Sequence, residues 1–328
     1  MTAPMLPADP PRFRLFDEPS PLHPWPRLSD ALGGRAEIWA KREDLLPLAF
    51  GGNKLRNLEF LVGAAIAEGA DSLVTSGRRW SNHCRLTAAA GARAGLAVHL
   101  VLSGPPAPRP GPGIRTAELM GATIHQLPTD DRSARDDAVE RVVADLLATD
   151  RRPYRIGVGG SGVLGAYGQV LGATEMFDQA VERGLHVDAI VLPSATGGTQ
   201  AGLIVGAALR SPQSTVSGVL VARPADELGP VILDLAGTLA ARMGVALPPE
   251  AVRLDASQLG GGYGRPTAAG GEAAGLLART EGVLVDPIYT AKACAGLVGA
   301  VRAGRHDGQT VVFWHAGGTP GLFETLEP

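Results

Sequence analysis

The stretch KREDLLPLAFGGNKLRNLEF, Lys41 to Phe60, decides how the rest of this chain is interpreted. Its apolar part ends at Gly51-Gly52-Asn53, and the apolar residues after Lys54 recur at roughly helical spacing. Glycine provides the backbone angles that such a loop needs, and asparagine is a residue type that caps helices. We therefore expect Lys54 to lie where a Gly-Gly loop becomes a helix.

A lysine at a helix start lies near the positive end of the helix dipole, which disfavours a second positive charge and lowers its pKa. A neutral amine is what Schiff-base chemistry requires. The alternative is an ordinary surface lysine whose aliphatic stem covers apolar surface. This stretch alone leaves both interpretations of Lys54 open.

Composition restricts the class of protein. The chain has 328 residues, 45% hydrophobic and 19% charged, which is typical of a globular protein with a sizeable core. A net charge of -3 argues against a general nucleic-acid or membrane-surface role. The sequence has no apolar run of membrane-spanning or signal length. Its two cysteines, Cys84 and Cys294, fit a reducing compartment, so we expect a cytoplasmic protein.

Short apolar segments alternate with helical patterns along most of the chain. Asp71 to Gly77 and Ala97 to Leu102 read as strands that flank the alanine-rich helix Ser81 to Ala94. This is the repeating unit of a parallel sheet covered by helices. Later strands are predicted at Val187 to Leu192 and at Val283 to Ile288, and the pattern as a whole predicts an α/β fold.

Two lobes are predicted, each a mostly parallel open sheet covered by helices. The smaller α/β domain comprises residues 51–162, inserted into a larger domain of residues 1–50 and 163–328. Met1 to Ser29 is rich in proline and is expected to pack over a domain as an irregular arm. The ligand is expected in the cleft, near the carboxyl ends of strands.

The segment PSATGGTQ, residues 193–200, lies between a buried strand and an apolar helix. Free amides, closely approaching glycines, and the hydroxyls of Thr196 and Thr199 are typical of an anion site at a helix N-terminus. The segment lacks the lysine of a nucleoside-triphosphate loop and the G-x-G-x-x-G pattern of dinucleotide sites. A single monophosphate is the natural ligand, and a plain strand-to-helix turn is the alternative.

The tripeptide Ser81-Asn82-His83 opens a helix directly after a predicted strand and loop. Hydroxyl, amide and backbone donors converge there, which suits a carboxylate or a ring oxygen. The common alternative is simple N-capping by Ser81. A single histidine such as His83 is more often structural than catalytic.

Pyridoxal 5'-phosphate (PLP) is the cofactor that joins a reactive lysine, a monophosphate loop and a carboxylate pocket. The sequence resembles the PLP-dependent group that contains 1-aminocyclopropane-1-carboxylate deaminase and D-cysteine desulfhydrase. That group has the tryptophan-synthase-β-like fold, PLP fold type II. The resemblance runs in order from about Lys41 to Phe323, through KREDLLPLAFGGNKLRNLEF, SNHCRLTAAAGARAGL, IGVGGSGVLGAYG, PSATGGTQAGL, GYGRPT, DPIYTAKACAGL and FWHAGGTPGLF.

For the cofactor, the resemblance implies that Lys54 forms the Schiff base and later moves the α-proton. It implies that Asn82 hydrogen-bonds the ring hydroxyl oxygen and that Tyr289 stacks on or beside the ring. The phosphate would be held by one run of the chain: Ala195, Thr196, Gly197, Gly198 and Thr199.

For the substrate, the resemblance implies that Ser81, Asn82 and His83 receive the carboxylate and that Ser81 assists proton transfer. Tyr263 would reach the substrate from the side opposite Tyr289. These roles follow from the resemblance and not from spacing or composition.

Two departures from the family pattern bear on the substrate. Thr290 follows Tyr289 where the cyclopropane deaminases look to have a glutamate, and a hydroxyl keeps the pyridine nitrogen protonated less well. This favours β-elimination over ring opening. Arg78 and Trp80 stand where relatives have small residues and a glutamine, which predicts a bulkier or doubly anionic substrate, unless the arginine simply faces solvent.

The sequence thus predicts a PLP-dependent lyase or deaminase, more desulfhydrase-like than cyclopropane-deaminase-like. It would convert a small amino acid to a 2-oxo acid and ammonia by α-proton abstraction and β-elimination. The alternatives are a PLP-dependent racemase, a β-replacement enzyme, a non-catalytic PLP-binding protein and, more weakly, a phosphosugar or nucleotide enzyme. The expected partners are the amino acid and, from the resemblance, a second copy of the chain, with no nucleic acid, membrane or metal.

Overall fold

A computed structural model describes residues 10–104 and 109–324 of the chain. Its strands form two sheets, one with the order β1-β2-β10-β7-β8-β9 and one with the order β5-β4-β3-β6. Every neighbouring pair is parallel except β1 and β2, which are antiparallel. The α/β class and the mostly parallel open sheets predicted from the sequence are therefore confirmed.

The strands are β1 (Leu22–Pro24), β2 (Glu37–Arg42), β3 (Ser72–Arg78), β4 (Ala97–Ser103), β5 (Thr123–Leu127), β6 (Pro153–Arg155), β7 (Ala189–Ser194), β8 (Thr215–Leu220), β9 (Arg253–Asp255) and β10 (Thr310–His315). The helices are α1 (Pro26–Ala31), α2 (Lys54–Ala67), α3 (Asn82–Ala94), α4 (Pro112–Leu119), α5 (Arg132–Leu147), α6 (Val163–Glu182), α7 (Gly198–Arg210), α8 (Ala225–Met243), α9 (Ala268–Glu281) and α10 (Thr290–Arg302). Short 3-10 turns lie at Glu43–Leu45, Val158–Gly160 and Thr319–Phe323.

Strand β7 shows why the larger sheet is covered on both faces. Ile190 and Leu192 pack into the core formed with α6, α7 and α8. Ala189 and Val191 point the other way, into the core formed with α1, α9 and α10. A strand buried on both faces reads as a continuous apolar run, which is why β7 was recognisable in the sequence.

The smaller sheet has the same arrangement. Leu73 and Leu100 pack with α2, α3 and α4 on one face, and Val74 and Val101 pack against α5 on the other. All four of its strands lie within the predicted range 51–162. The lobe boundaries themselves stay a prediction.

Three sequence-based expectations about elements need correction. No strand forms at Val283 to Ile288, where the chain runs without regular secondary structure into a turn before α10. The sequence did not predict β9 or α9. The arm before Ser29 is irregular only as far as Pro21, since β1 and most of α1 follow, and residues 1–9 lie outside the described part. Within the described ranges, no helix has the length and apolar character needed to cross a membrane.

Candidate active site

One cleft, at the carboxyl ends of β3, β7, β8 and β10, brings most of the predicted site residues together. Its walls come from both sheets, as a cleft between parallel-sheet lobes requires. The predicted residues that line it are Lys54, Arg78, Ser81, Asn82, His83, Ala195, Thr196, Gly197, Thr199, Tyr263, Tyr289 and Thr290. Trp80 and Gly198 are the two predicted site residues that do not line the cleft.

Lys54 is the first residue of α2, as predicted. Burial disfavours its charged form and lowers its pKa to about 8. The contribution of the helix dipole stays a prediction, because burial is the cause that the structure shows. Within residues 10–104 and 109–324, no side chain or carbonyl forms a hydrogen bond or ion pair with the Lys54 amine. The amine is therefore available for covalent chemistry.

Asn53 precedes the helix, but its side chain does not cap it. Instead its Nδ2 donates to Thr199 Oγ1 at 2.9 Å, and its backbone N–H donates to the Ala316 carbonyl at 3.0 Å. Because Thr199 accepts that bond, its own hydroxyl proton stays available to a ligand oxygen. Asn53 thus joins the lysine loop to the expected phosphate loop.

The phosphate loop is shaped by residues 159–161. Gly159 has φ +71°, and a Cβ there would lie 2.8 Å from Thr196 Oγ1, so only glycine fits. Ser161 Oγ donates to the Thr196 carbonyl and accepts from the Gly198 N–H, each at 2.8 Å. The amide of Gly198 is therefore bonded to Ser161 in this structure, and its role in holding the phosphate stays a prediction.

Ser81 is the N-cap of α3, and its Oγ accepts from the Cys84 N–H at 3.3 Å while still facing the cleft. A Cβ at Gly77 would lie 2.8 Å from that Oγ, so glycine is needed where the strand meets the turn. The capping alternative is therefore correct, and it leaves the Ser81 hydroxyl proton free for a substrate.

Asn82 is oriented by a buried arginine that the sequence analysis missed. Arg85 donates to Asn82 Oδ1 and to the Gly51 carbonyl, each at 3.3 Å, and also to the Ala49 carbonyl. With Oδ1 occupied, Nδ2 of Asn82 is the group left to donate to a ligand oxygen. This matches the predicted bond to a ring hydroxyl oxygen.

His83 lines the cleft, but its ring is not suited to bind a carboxylate. Thr75 Oγ1 donates to the Ile156 carbonyl at 2.9 Å, so His83 Nε2, at 3.0 Å from that oxygen, must be the donor. Burial, followed by the charge of Lys54, lowers the pKa of His83 to about 3. The ring is neutral with a bare Nδ1, and an acceptor does not attract an anion. The predicted contact of His83 with the carboxylate stays a prediction, and the backbone N–H is the group of His83 suited to it.

Tyr263 and Tyr289 face each other, with their hydroxyl groups hydrogen-bonded and their ring centroids 5.7 Å apart. Burial raises the pKa of Tyr263 to about 12, and burial together with the neighbouring phenol raises the pKa of Tyr289. Trp80 packs edge-on against Tyr263 with ring centroids 6.0 Å apart, and its contact with substrate stays a prediction. The cleft therefore contains a pair of phenols that stay protonated at neutral pH.

Thr290 lies where the sequence predicts the partner of the pyridine nitrogen. Its Oγ1 is 2.6 Å from Asp286 Oδ2 and 2.7 Å from the Gly317 carbonyl. Asp286 is completely buried, burial raises its pKa, and it accepts backbone N–H bonds from Ile288 and Tyr289. The Asp286 carboxyl group therefore lies behind the Thr290 hydroxyl as seen from the cleft. Its hydrogen bonds hold the turn that presents Tyr289 and Thr290.

The sequence of the chain matches one established family. The sequence profile of the pyridoxal-phosphate dependent enzymes matches residues 14–317. The chain belongs to this family. PLP is thus its cofactor, as predicted, and the unbonded Lys54 amine, the free Asn82 Nδ2 and the Thr199 hydroxyl fit that group.

Individual relatives narrow the comparison. The PLP-dependent chain is 40% identical over 324 residues to the D-cysteine desulfhydrases of Salmonella choleraesuis strain SC-B67 and Salmonella typhi, covering 95% of each chain. A crystal structure described as an ACC deaminase homologue superposes with a TM-score of 0.88 at 31% identity, covering 96% of this chain and 94% of the other. A threonine deaminase from T.th., with a TM-score of 0.66 and 21% identity over 94% of each chain, shares the fold. The predicted fold type II is confirmed.

Proposed function

We propose that this protein is a desulfhydrase-like PLP-dependent lyase. It would convert a small amino acid with a leaving group on the β-carbon, plus water, into a 2-oxo acid, ammonia and the protonated leaving group. The observation that carries the proposal is the pairing, in one cleft, of an unbonded amine at Lys54 with the protonated phenols of Tyr263 and Tyr289. Titratable groups with pKa values pushed apart are typical of a base and an acid. The D-cysteine desulfhydrase relatives support the same reaction class.

Lys54 is the base of the proposed reaction. When bound, PLP supplies an electron sink for charge developing at the substrate α-carbon. Burial keeps the amine of Lys54 largely neutral at slightly alkaline pH, so its Nζ can accept the α-proton. The Ser81 hydroxyl and the amides that open α3 hold the substrate carboxylate, because they point into the cleft beside the lysine.

The tyrosine pair supplies the acid. Breaking the bond to the β-substituent leaves an anion, and a phenol at that position donates a proton to it. The second phenol, hydrogen-bonded to the first, stabilises the oxygen that has lost the proton. A hydroxyl at Thr290, rather than a carboxylate, supports elimination of a good leaving group over opening of a cyclopropane.

The deciding experiment measures the visible absorption of the purified protein and its release of 2-oxo acid from D- and L-amino acids with β-substituents. We expect a cofactor band, and oxo acid from at least one β-substituted substrate. Lys54→Ala should remove the absorption band of the lysine-bound cofactor and reduce turnover by about 10²–10⁴-fold.

Two outcomes would contradict the proposal. A spectral change on adding amino acid without oxo acid would indicate racemisation, β-replacement or a non-catalytic PLP-binding protein. Full activity of Lys54→Ala would exclude the assigned base.

We also infer a homodimer from the family resemblance, and light scattering can test it. The two cysteines support a cytoplasmic location. The sequence pattern supports a smaller lobe of residues 51–162, which limited proteolysis can test.

A further inference from the structure

Four arginines line the cleft, and of these only Arg78 was predicted from the sequence as a site residue. Arg78 ends β3, Arg132 and Arg135 lie in the first turn of α5, and Arg223 follows β8. We call these four the arginine cluster. Only two carboxylates form ion pairs with it in the described ranges: Asp130 with Arg78, and Glu227 with Arg132 at 3.6 Å. The cluster therefore carries excess positive charge.

Arg135 is the unusual member. Only 7% of the residue is exposed, and its Nε is buried without a hydrogen-bond partner. Across residues 10–104 and 109–324, no carboxylate forms an ion pair with its guanidinium. Since a buried charge is costly unless it is paired, Arg135 is suited to bind an anion supplied by a ligand.

The position of the cluster indicates which anion this is. The Arg78 guanidinium lies 5.8 Å from the centre of the Tyr263 ring, beside the phenol pair. Burial raises the pKa of Cys84, one turn into the helix that Ser81 caps, to about 11, and the charge of Arg135 opposes that rise. The cluster is thus near both the phenols and the carboxylate-binding turn.

We propose that Arg135, together with Arg78 and Arg223, binds an anionic group on the side chain of the substrate. The inference rests on the proposed function and makes it specific: the preferred amino acid carries a second anion, a carboxylate, sulfonate or phosphate, besides its α-carboxylate. Guanidinium groups bind all three through paired N–H donors. A sulfonate or phosphate on the β-carbon is also the leaving group, whereas a carboxylate makes the molecule a ligand without elimination.

The test compares the holoenzyme with its Arg135→Gln and Arg135→Lys variants. Turnover probes are both enantiomers of cysteate and O-phosphoserine, which are anionic, and of cysteine and β-chloroalanine, which are neutral at the β-carbon. The binding probes are aspartate and alanine, and their binding is measured by the change in cofactor absorption. Arg141→Gln, on the exposed face of the same helix, is the control.

We expect the wild type to favour an anionic probe, and Arg135→Gln to lose about 30-fold or more for it, mainly through KM. The loss for neutral probes and for PLP affinity should stay below about threefold, and Arg135→Lys should recover part of the loss. Aspartate should bind more tightly than alanine in the wild type and in Arg141→Gln, but not in Arg135→Gln.

The two proposals can fail separately. If neutral probes are turned over and Arg135→Gln affects all probes equally, the side-chain anion site is wrong while the lyase assignment stands. If Arg135→Gln instead weakens PLP binding, the cluster binds the cofactor phosphate and the inference is overturned. If no probe gives oxo acid but Arg135→Gln abolishes selective aspartate binding, the anion site stands and the lyase assignment falls.

Discussion

Two regions of this molecule bury positive charge in opposite ways. Beneath the N-terminal arm, Lys41, Glu43, Arg56 and Glu175 form what we call the paired network, in which Arg56 binds Glu43 at 2.6 Å and Glu175 at 2.8 Å. In the cleft, Arg135 is nearly as buried but has no carboxylate partner in the described part of the chain. The first region satisfies its charges internally, and the second leaves a charge for a ligand.

The lysines show the same contrast. Burial, only partly opposed by Glu175, lowers the pKa of Lys41 to about 8, and burial lowers that of Lys54 to about 8 as well. Yet Lys41 Nζ donates to Glu175, Gln179 and the Ser20 carbonyl, whereas Lys54 Nζ has no such partner among the described residues. A shifted pKa alone therefore does not favour Lys54 over Lys41 as the proposed base; the lack of a structural partner among the described residues does.

The largest expected effect is on the paired network. Arg56→Met should lower the free energy of unfolding by about 3–5 kcal/mol, because it leaves the fully buried Glu43 without its cation. Arg302→Met is the control, since Arg302 forms an exposed pair with Glu272 and should cost at most about 1 kcal/mol. Urea unfolding of the cofactor-free proteins measures both. Equal losses would show that burial does not distinguish the two pairs.

The second effect is the pH dependence of the reaction between Lys54 and PLP. A neutral amine is needed to attack the PLP aldehyde, and the neutral fraction of Lys54 rises with pH through its pKa of about 8. The rate of cofactor incorporation should therefore rise with a midpoint near pH 8, instead of near the usual lysine value of 10.5. Stopped-flow absorbance measures the rate across pH.

Peptide mapping provides the control for this experiment. The chain has three lysines, Lys41, Lys54 and Lys292, and the amine of Lys292 donates to the Leu259 and Gly262 carbonyls. After borohydride reduction, the cofactor should be found on Lys54 alone. Label on either of the other two, or a midpoint above pH 10, would contradict the comparison.

Arg85 is intermediate between the two regions, because backbone carbonyls and an amide, rather than carboxylates, surround its buried charge. Arg85→Met should cost about 1–2 kcal/mol, since lost charged hydrogen bonds are partly offset by removing the buried charge. It should also weaken PLP binding several-fold, because Asn82 and the loop with positive φ at Ala49 and Phe50 lose their common anchor.

Thermal unfolding and equilibrium dialysis with PLP measure these two effects. Arg93→Met, an exposed residue in the last turn of the same helix, is the control and should change neither. If Arg85→Met lost stability without losing PLP affinity, Arg85 would have no role in the site.

The sequence reveals those parts of the site that are encoded locally. Lys54, Ser81 and the loop 195–199 each follow a short pattern of glycines and hydroxyls between a strand and a helix, so they could be predicted without knowing the fold. The burial of β7 on both of its faces likewise appears in the sequence as an apolar run. By contrast, Val283 to Ile288 has strand-like composition but joins neither sheet, because strand pairing depends on neighbours that only the tertiary structure supplies.

Residues that act through distant partners were missed for the same reason. Asp286 and Arg85 matter because of what the fold places against them. Arg135 did leave a signal: in α5 it shares one buried face with Ala138, Val139 and Val142, at helical spacing of three, four and seven residues. An arginine on an apolar stripe is a candidate ligand site, whereas the charged composition of α5 suggested only a solvated helix.

The smallest expected effect completes the comparison. Replacing Arg135 by methionine removes a buried charge that no carboxylate of the described chain compensates, so the cofactor-free protein should be unchanged or more stable by up to about 1 kcal/mol. Arg141→Met, exposed on the same helix, should lie within about 0.5 kcal/mol of the wild type. Urea unfolding measures both variants. A loss above about 2 kcal/mol in Arg135→Met would mean that the cleft charge is structural, like that of Arg56. An unchanged or raised stability, combined with lost affinity for aspartate, would show that this buried charge is retained for the ligand it binds.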